Sequence, residues 1–252
     1  MAERKRMRAG RRAIRIGTSG WHYDHWAGPF YPRELRKADY LAFYAECFDT
    51  VEINSSFYRL PSPGTFRGWR DSVPGGFRFA VKASRYITHM KRLKDPEAHV
   101  ARFLEAAAAL GDKRGPVLFQ LLPRWKPDLG RLRDFLAVLP GSLPCAFEFR
   151  DERWFGDGLY DLLAEHGAAF CIYDLAGQRS PIEVTAALCY VRLHGPGGAY
   201  QGSYSGQALA AWARRFRDWR GEGRRVYCYF DNDEKGYAAR DALRLKAMLG
   251  ED

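Results

Sequence analysis

Eight short apolar segments, spread along the whole chain and each closed by polar or glycine-rich sequence, constrain this protein most. They lie at 14–17, 50–53, 77–82, 116–121, 145–149, 168–173, 188–193 and 225–230. They are short and rich in β-branched and aromatic residues, which favours strands over buried helix pieces. Most are followed by a stretch with helical spacing, at 38–48, 96–110, 128–139, 158–166, 207–220 and 236–249. Strand–helix alternation of this kind implies parallel strands joined by right-handed crossovers. Eight such units favour closure into a barrel, and the length of 252 residues matches the roughly 250 typical of that architecture. The expected fold is α/β, a single irregular (β/α)8 barrel of the TIM type over residues 14–250. The helix after the sixth strand is expected to be weak or missing, because DLAGQRSPIEVTAALC at 174–189 leaves little room for one.

The net charge of +10 is unevenly placed. Residues 1–13 hold Arg4, Lys5, Arg6, Arg8, Arg11 and Arg12 against Glu3 alone, and read as a disordered basic arm. Such an arm could touch nucleic acid or anionic lipid, or simply be solvated. The arm has no apolar stretch behind it, so it is not expected to be a secretory signal. No apolar run approaches the roughly 20 residues that span a bilayer, so no membrane partner is expected and the expected location is the cytoplasm. The five cysteines (Cys47, Cys145, Cys171, Cys189, Cys228) lack CxxC spacing, and four fall in strand segments. They read as buried thiols rather than disulfides or zinc ligands. No HExxH or HxH occurs, and no metal or other cofactor is expected. A metal site assembled in space from His22, His25, His89, Glu52, Glu148 and His194 remains an open alternative.

Side chains alternate along a strand, so residues two apart share a face. In the third strand Phe77, Phe79 and Val81 oppose Arg78, Ala80, Lys82 and Ser84. In the fifth, Cys145, Phe147 and Phe149 oppose Ala146, Glu148 and Arg150. In the seventh, Cys189, Val191 and Leu193 oppose Tyr190, Arg192 and His194, and the second puts Glu52 with Asn54. The bulky set is expected to face the helices and the other set the barrel interior, where polar groups gather towards each strand's end.

Those strand ends carry a resemblance. IGTSGW (16–21), VEINSSFY (51–58), FAVKASRYITH (79–89), LFQLLP (118–123), FEFRDERW (147–154), VRLHG (191–195) and YFDND (229–233) together resemble the domain of unknown function 72 family, the YecE-like barrels. The match spans the chain after the basic arm, with the motifs in order. It implies an irregular TIM-type barrel and assigns neither substrate nor reaction. Where the family more usually carries an Asn-Asn pair, this chain carries Asp231 and Asn232, which changes the charge of that corner.

TIM barrels place their sites at the C-terminal face of the strands. The candidate catalytic residues there are Glu52, Lys82, Glu148, Arg192 and His194. The candidate substrate-binding residues are Ser19, Trp21, Asn54, Tyr58, Ser84, Gln120, Arg150, Trp154, Asp174, Gly195, Asp231 and Asn232. Glu52 and Glu148 are candidates for base and acid, and His194 is expected to titrate near neutrality. Lys82 and Arg192 could hold a carboxylate or phosphate or stabilise an oxyanion. The glycine-rich stretch at 194–206 and the start of the last helix form a candidate phosphate site, against a plain loop with capping by Asp231 or Asn232. Rim aromatics (Trp21, Tyr23, Trp26, Phe57, Tyr58, Tyr86, Trp125, Trp154) could stack on a sugar or base, or simply roof the barrel.

Three functions follow as expectations. The leading one is an enzyme of hydrolase, lyase or isomerase type, using acid–base chemistry on a small polar or anionic, sugar- or nucleotide-like substrate. The alternatives are a nucleic-acid binding or processing protein that uses the basic arm, and a non-catalytic ligand-binding barrel. A further alternative is structural: Glu52, Lys82, Glu148 and Arg192 as an interior ion-pair lattice, although desolvation makes such a lattice a poor stabiliser.

Overall fold

The computed structural model describes residues 13–250. The basic arm lies outside the described residues except for Ala13. Eight strands of a nearly closed barrel appear where the apolar segments stand: β1 (Ile14–Thr18), β2 (Thr50–Ile53), β3 (Arg78–Lys82), β4 (Arg114–Gln120), β5 (Cys145–Glu148), β6 (Ala169–Leu175), β8 (Leu188–Leu193) and β9 (Arg225–Phe230). Between β6 and β8 the two-residue strand β7 (Gln178–Arg179) folds back antiparallel on β6. The remaining neighbours pair parallel in the order β1-β9-β8-β6-β5-β4-β3-β2. The expected gap after the sixth strand is present, with β7 and an irregular segment in place of a helix.

The helices are α1 (Tyr40–Cys47), α2 (Ser55–Tyr58), α3 (Pro63–Asp71), α4 (Pro96–Ala108), α5 (Leu129–Val138), α6 (Asp157–Glu165), α7 (Gly206–Gly221) and α8 (Tyr237–Leu249). Their starts follow local rules. Ser62, Asp128 and Ser205 each accept a hydrogen bond from a backbone N–H three residues on, and proline opens α3 and α4. The sequence reading did not single out α2 or α3.

The strand faces fall as alternation predicts. Phe77, Phe79, Val81, Phe147, Phe149, Val191 and Leu193 join the core between sheet and helices. A second, interior cluster holds Ala80, Leu118, Ala146, Ala169, Cys171, Leu188, Tyr190, Tyr227 and Tyr229. Small residues on β3, β5 and β6 leave room for the tyrosines of β8 and β9 to cross the barrel. Filling the interior with side chains in this way makes it a packed core rather than a pore.

The seam between β1 and β2 is the irregular part. Its one bridge is Ser19 to Glu52. The Tyr44 hydroxyl, from α1, accepts from Thr18 N–H at 2.9 Å and donates to Thr50 O at 3.1 Å, spanning the gap that ladder hydrogen bonds would otherwise close. Gly17 permits this approach, because a Cβ there would sit 2.2 Å from Thr50 O. Ser19 and Glu52 are thereby drawn together at the barrel mouth.

Candidate active site

The C-terminal strand ends deliver one charged cluster. Arg192, on the inner face of β8, is its hub. Its guanidinium donates to Glu52 (Nη2 to Oε1, 2.7 Å), to Glu148 (Nη1 to Oε2, 2.9 Å) and to Asp231 (Nη2 to Oδ2, 3.2 Å). Glu52 also accepts from Ser19 Oγ at 2.5 Å and Tyr190 OH at 2.6 Å. Glu148 accepts from Arg150 Nε as well, so both its oxygens are engaged. Arg150 in turn lies over the Tyr173 ring, 5.0 Å from its centroid.

His194 completes the network and its tautomer can be assigned. Nε2 faces Arg150 Nη2 at 3.0 Å and Arg192 Nη1 at 3.3 Å, while Nδ1 faces Asp231 Oδ2 at 3.0 Å. Guanidinium groups only donate, so Nε2 must be the acceptor and Nδ1–H donates to Asp231. Burial, reinforced by the charge of Arg192, lowers the histidine's pKa, and the ring is neutral. The expected titration near neutrality is thereby shifted below the ordinary histidine value.

The other charges follow from the same pairing. Burial alone would raise the Glu148 pKa, but the guanidiniums of Arg150 and Arg192 hold it well below the usual carboxylate range. A carboxyl held down in this way favours the ionised form, which suits Glu148 as an anchor better than as a proton donor. Burial would likewise raise Asp231, and the His194 hydrogen bond and Arg192 lower it. Burial would lower Arg192, and the carboxylates of Glu52, Glu148 and Asp231 keep it charged. Glu52, Glu148, Arg192 and His194 are all shut off from solvent.

Lys82 differs from the rest. It ends β3 on the inner face, half-buried, its ammonium 4.3 Å from the centroid of the Phe57 ring. No hydrogen bond or ion pair holds its Nζ among the described residues. Burial and the charge of Arg192 lower its pKa to about 8.

Several candidates stand outside the cluster. Asp174 faces away from the interior, bound to Arg179 at 3.0 Å. Asn232 also points outward and donates to Gly202 O and to Asp241. Both corrections have one cause, strand alternation: Cys171 and Tyr229 face inward, so Asp174 and Asn232 do not. Trp21 packs edge-on against Trp69, and Trp154 is buried and donates to Trp125 O, both as wall. Ser84 accepts from Tyr86 N–H in the loop after β3, and Gly195 donates to the Tyr204 hydroxyl. Gln120 and Asn54 are half-buried at their strand ends, and Asn54 Oδ1 has no hydrogen-bond partner. Tyr58 is exposed. The sequence reading missed Tyr190 as a site residue, although it had already placed this tyrosine on the inner face with Arg192.

The glycine-rich stretch does not present a ready anion cradle. Asp241 of α8 accepts from Ser203 Oγ at 2.7 Å and Tyr204 N–H at 2.8 Å, so a carboxylate already occupies donors of that loop. Neither Asp231 nor Asn232 caps α8, which begins after Gly236 in a left-handed conformation. Among the described residues, no three His, Cys, Asp or Glu side chains converge as metal ligands. His25 contacts Asp233 O, and His89 contacts Thr88 and the Phe57 ring.

Comparison with known proteins agrees with this architecture. The chain is similar to the UPF0759 protein YunF of Bacillus subtilis, 27% identical over 94% of each chain. It is also similar to the UPF0759 protein YecE of Escherichia coli, 30% identical over 58% of this chain and 51% of that protein. A crystal structure of a DUF72 family protein from Thermotoga maritima superposes with a TM-score of 0.86 at 27% identity, covering 95% of this chain and all of that one. A second, from Enterococcus faecalis, shares the fold with a TM-score of 0.81 at 22% identity, covering 94% of this chain and 95% of that one. The model of the family described as protein of unknown function DUF72 matches residues 15–252, and the chain belongs to that family.

Proposed function

We propose that this protein is an enzyme that runs acid–base chemistry on a small polar or anionic substrate at the barrel mouth, with Lys82 as the group that changes protonation. The observation that carries this reading is the position of the Lys82 amine, at the inner end of β3 and outside the ion-pair network. The carboxylates and guanidiniums beneath it are engaged with one another, while its Nζ lies over the Phe57 ring with no hydrogen bond or ion pair among the described residues, and burial with the charge of Arg192 lowers its pKa to about 8. A lysine so depressed is poised to take and return a proton near working pH. With Lys82 protonated, three carboxylates (Glu52, Glu148, Asp231) face three cations (Arg150, Arg192, Lys82). An anionic oxygen at the mouth then meets an ammonium that no carboxylate has claimed.

The buried residues have a supporting role in this scheme. Glu52, Glu148 and Arg192 fix the geometry from below, and Arg150 and Asp231 form the part of the network that reaches towards solvent. The same reading places the protein in the cytoplasm, where its five free thiols would stay reduced.

A turnover screen across phosphorylated sugars, nucleotides, hydroxy acids and keto acids tests the proposal. Turnover should rise through a limb at about pH 8 and vanish in Lys82→Met, while Lys82→Arg, which stays charged, should not restore it. Undiminished turnover in Lys82→Met refutes the reading. A ligand held tightly without turnover would instead make this a binding barrel.

A further inference from the structure

Beside the barrel mouth, charge and shape combine in a way the proposed chemistry does not use. Residues 55–94 contain nine lysines and arginines against one acid, Asp71, although Arg70 pairs with Asp71, Lys91 pairs with Asp95, and Arg78 starts β3 at the end opposite the mouth. Concentrated like charge repels itself in the folded state, and attracts polyanions. Three clefts run through this region and share walls. One of about 460 Å³, between the loop after β1 and α3, shares Ser55 and Trp69 with a second of about 760 Å³. The second shares Leu60 and Arg102 with a third of about 290 Å³, lined by Tyr86 and His99. Together they form one groove along the flank of the mouth.

Arg59 and Arg102 line the middle of the groove, are exposed, and have no ion-pair partner among the described residues. Glu105 is the one carboxylate in the walls of these three clefts among the described residues. Aromatic rings accompany the charge. Tyr58, next to Arg59, is 74% exposed, and Tyr86 is 40% exposed with its ring edge-on to His99 at 4.7 Å. The loop that carries Tyr86 is conformationally unusual: a π-helical turn (Tyr86–Met90) is followed by Arg92, Leu93 and Asp95, all with positive φ. π-turns and left-handed non-glycine residues are costly and concentrate at functional segments. Leu93, buried, pins that loop in place.

We infer that this groove binds single-stranded nucleic acid, with Arg59 and Arg102 on phosphates and the rings of Tyr58 and Tyr86 stacked on bases. Basic grooves interleaved with exposed aromatics are the general solution for single strands, because every base offers a π-face. A duplex keeps its bases stacked on each other and would meet only the charge. The inference does not rest on the acid–base reading, since none of these side chains belongs to the ionic cluster.

The test uses the full chain and a labelled oligonucleotide of about 12 nucleotides, within the usual span of such sites, followed by fluorescence anisotropy at increasing salt. Arg59→Glu with Arg102→Glu should weaken binding at least tenfold. It should also flatten the slope of log affinity against log salt by about 1.4, the value for two phosphate contacts on a single strand. Tyr58→Ala with Tyr86→Ala should weaken binding while leaving that slope unchanged. All four side chains are exposed, so the melting temperature of each variant should stay within a few degrees and certify the fold. Binding that survives the charge reversal overturns the inference, as does binding abolished by deleting residues 1–12 alone. A duplex bound as tightly as the single strand, or anionic vesicles bound with the same residue dependence, overturns it too.

Discussion

Replacing Arg192 by methionine tests the cluster most directly, because the long apolar side chain keeps much of the volume and removes the charge. Three carboxylates then lose their shared partner: Glu52 and Glu148, fully buried, and Asp231, nearly so. Removing one partner of a buried ion pair costs about 3–5 kcal/mol, because the charge left behind is uncompensated. For a chain of this size each kcal/mol shifts the melting temperature by about 2–4 °C, so the expected drop is about 6–20 °C. Arg150 limits the loss at Glu148, which it still contacts, so the larger share of the penalty falls on Glu52. The pH dependence gives a second readout. In the parent protein the depressed carboxyls of Glu148 and Asp231 contribute stability that is complete above their unfolded pKa values, about 4, and is lost as pH falls through the folded ones. In Arg192→Met those carboxyls lose one of the charges that hold them down, while Arg150 still holds Glu148 and the His194 hydrogen bond still holds Asp231, and protonation relieves part of the buried charge. The difference between the two proteins should therefore shrink as the pH is lowered from 7 towards about 4. Urea unfolding followed by tryptophan fluorescence at several pH values measures it. A difference below about 1 kcal/mol at neutral pH, as for an exposed pair, or one that does not change with pH, refutes the account of Arg192 as the hub.

Other predictions follow from single contacts. Gly17→Ala places a methyl group 2.2 Å from Thr50 O, so β1 and β2 must part; overpacking of this kind costs about 1–3 kcal/mol, and an unchanged melting temperature would count against the seam as described. Imidazole nitrogen NMR should show the neutral His194 ring with its proton on Nδ1 and a titration midpoint below the ordinary value, because burial and Arg192 lower its pKa; a proton on Nε2 would refute the assigned tautomer, and a midpoint at or above the ordinary value would refute the lowered pKa. After reductive methylation with labelled formaldehyde, one dimethyl-lysine signal should titrate near 8, below the ordinary lysine value of about 10.4, and be absent from Lys82→Met. Since that lysine is depressed in the folded state, the unfolded chain binds more protons between those values, and Lys82 should make stability rise with pH across that interval.

Periodicity carried the reading of the sequence a long way, because a strand's side-chain repeat of two is a local property. It placed Glu148 with Arg150 and Arg192 with His194 on the inner face, and the Phe147 and Phe149 face against the helices. The same parity, extended through the sixth and eighth barrel strands, would have excluded Asp174 and Asn232, since Cys171 and Tyr229 turn inward. The missing helix after β6 was legible for a different reason: too few residues separate β6 from β8. What no local rule supplies is who meets whom across the barrel. Arg192 and Glu52 are 140 residues apart, and only closure of the sheet brings the guanidinium onto that carboxylate. Protonation follows from those meetings rather than from residue type: the guanidiniums of Arg150 and Arg192 lower Glu148, and burial with Arg192 lowers His194. Lys82 stands apart by the same logic: its position at a strand end is written in the chain, but its lack of an ion-pair partner among the described residues is a property of the assembled barrel alone.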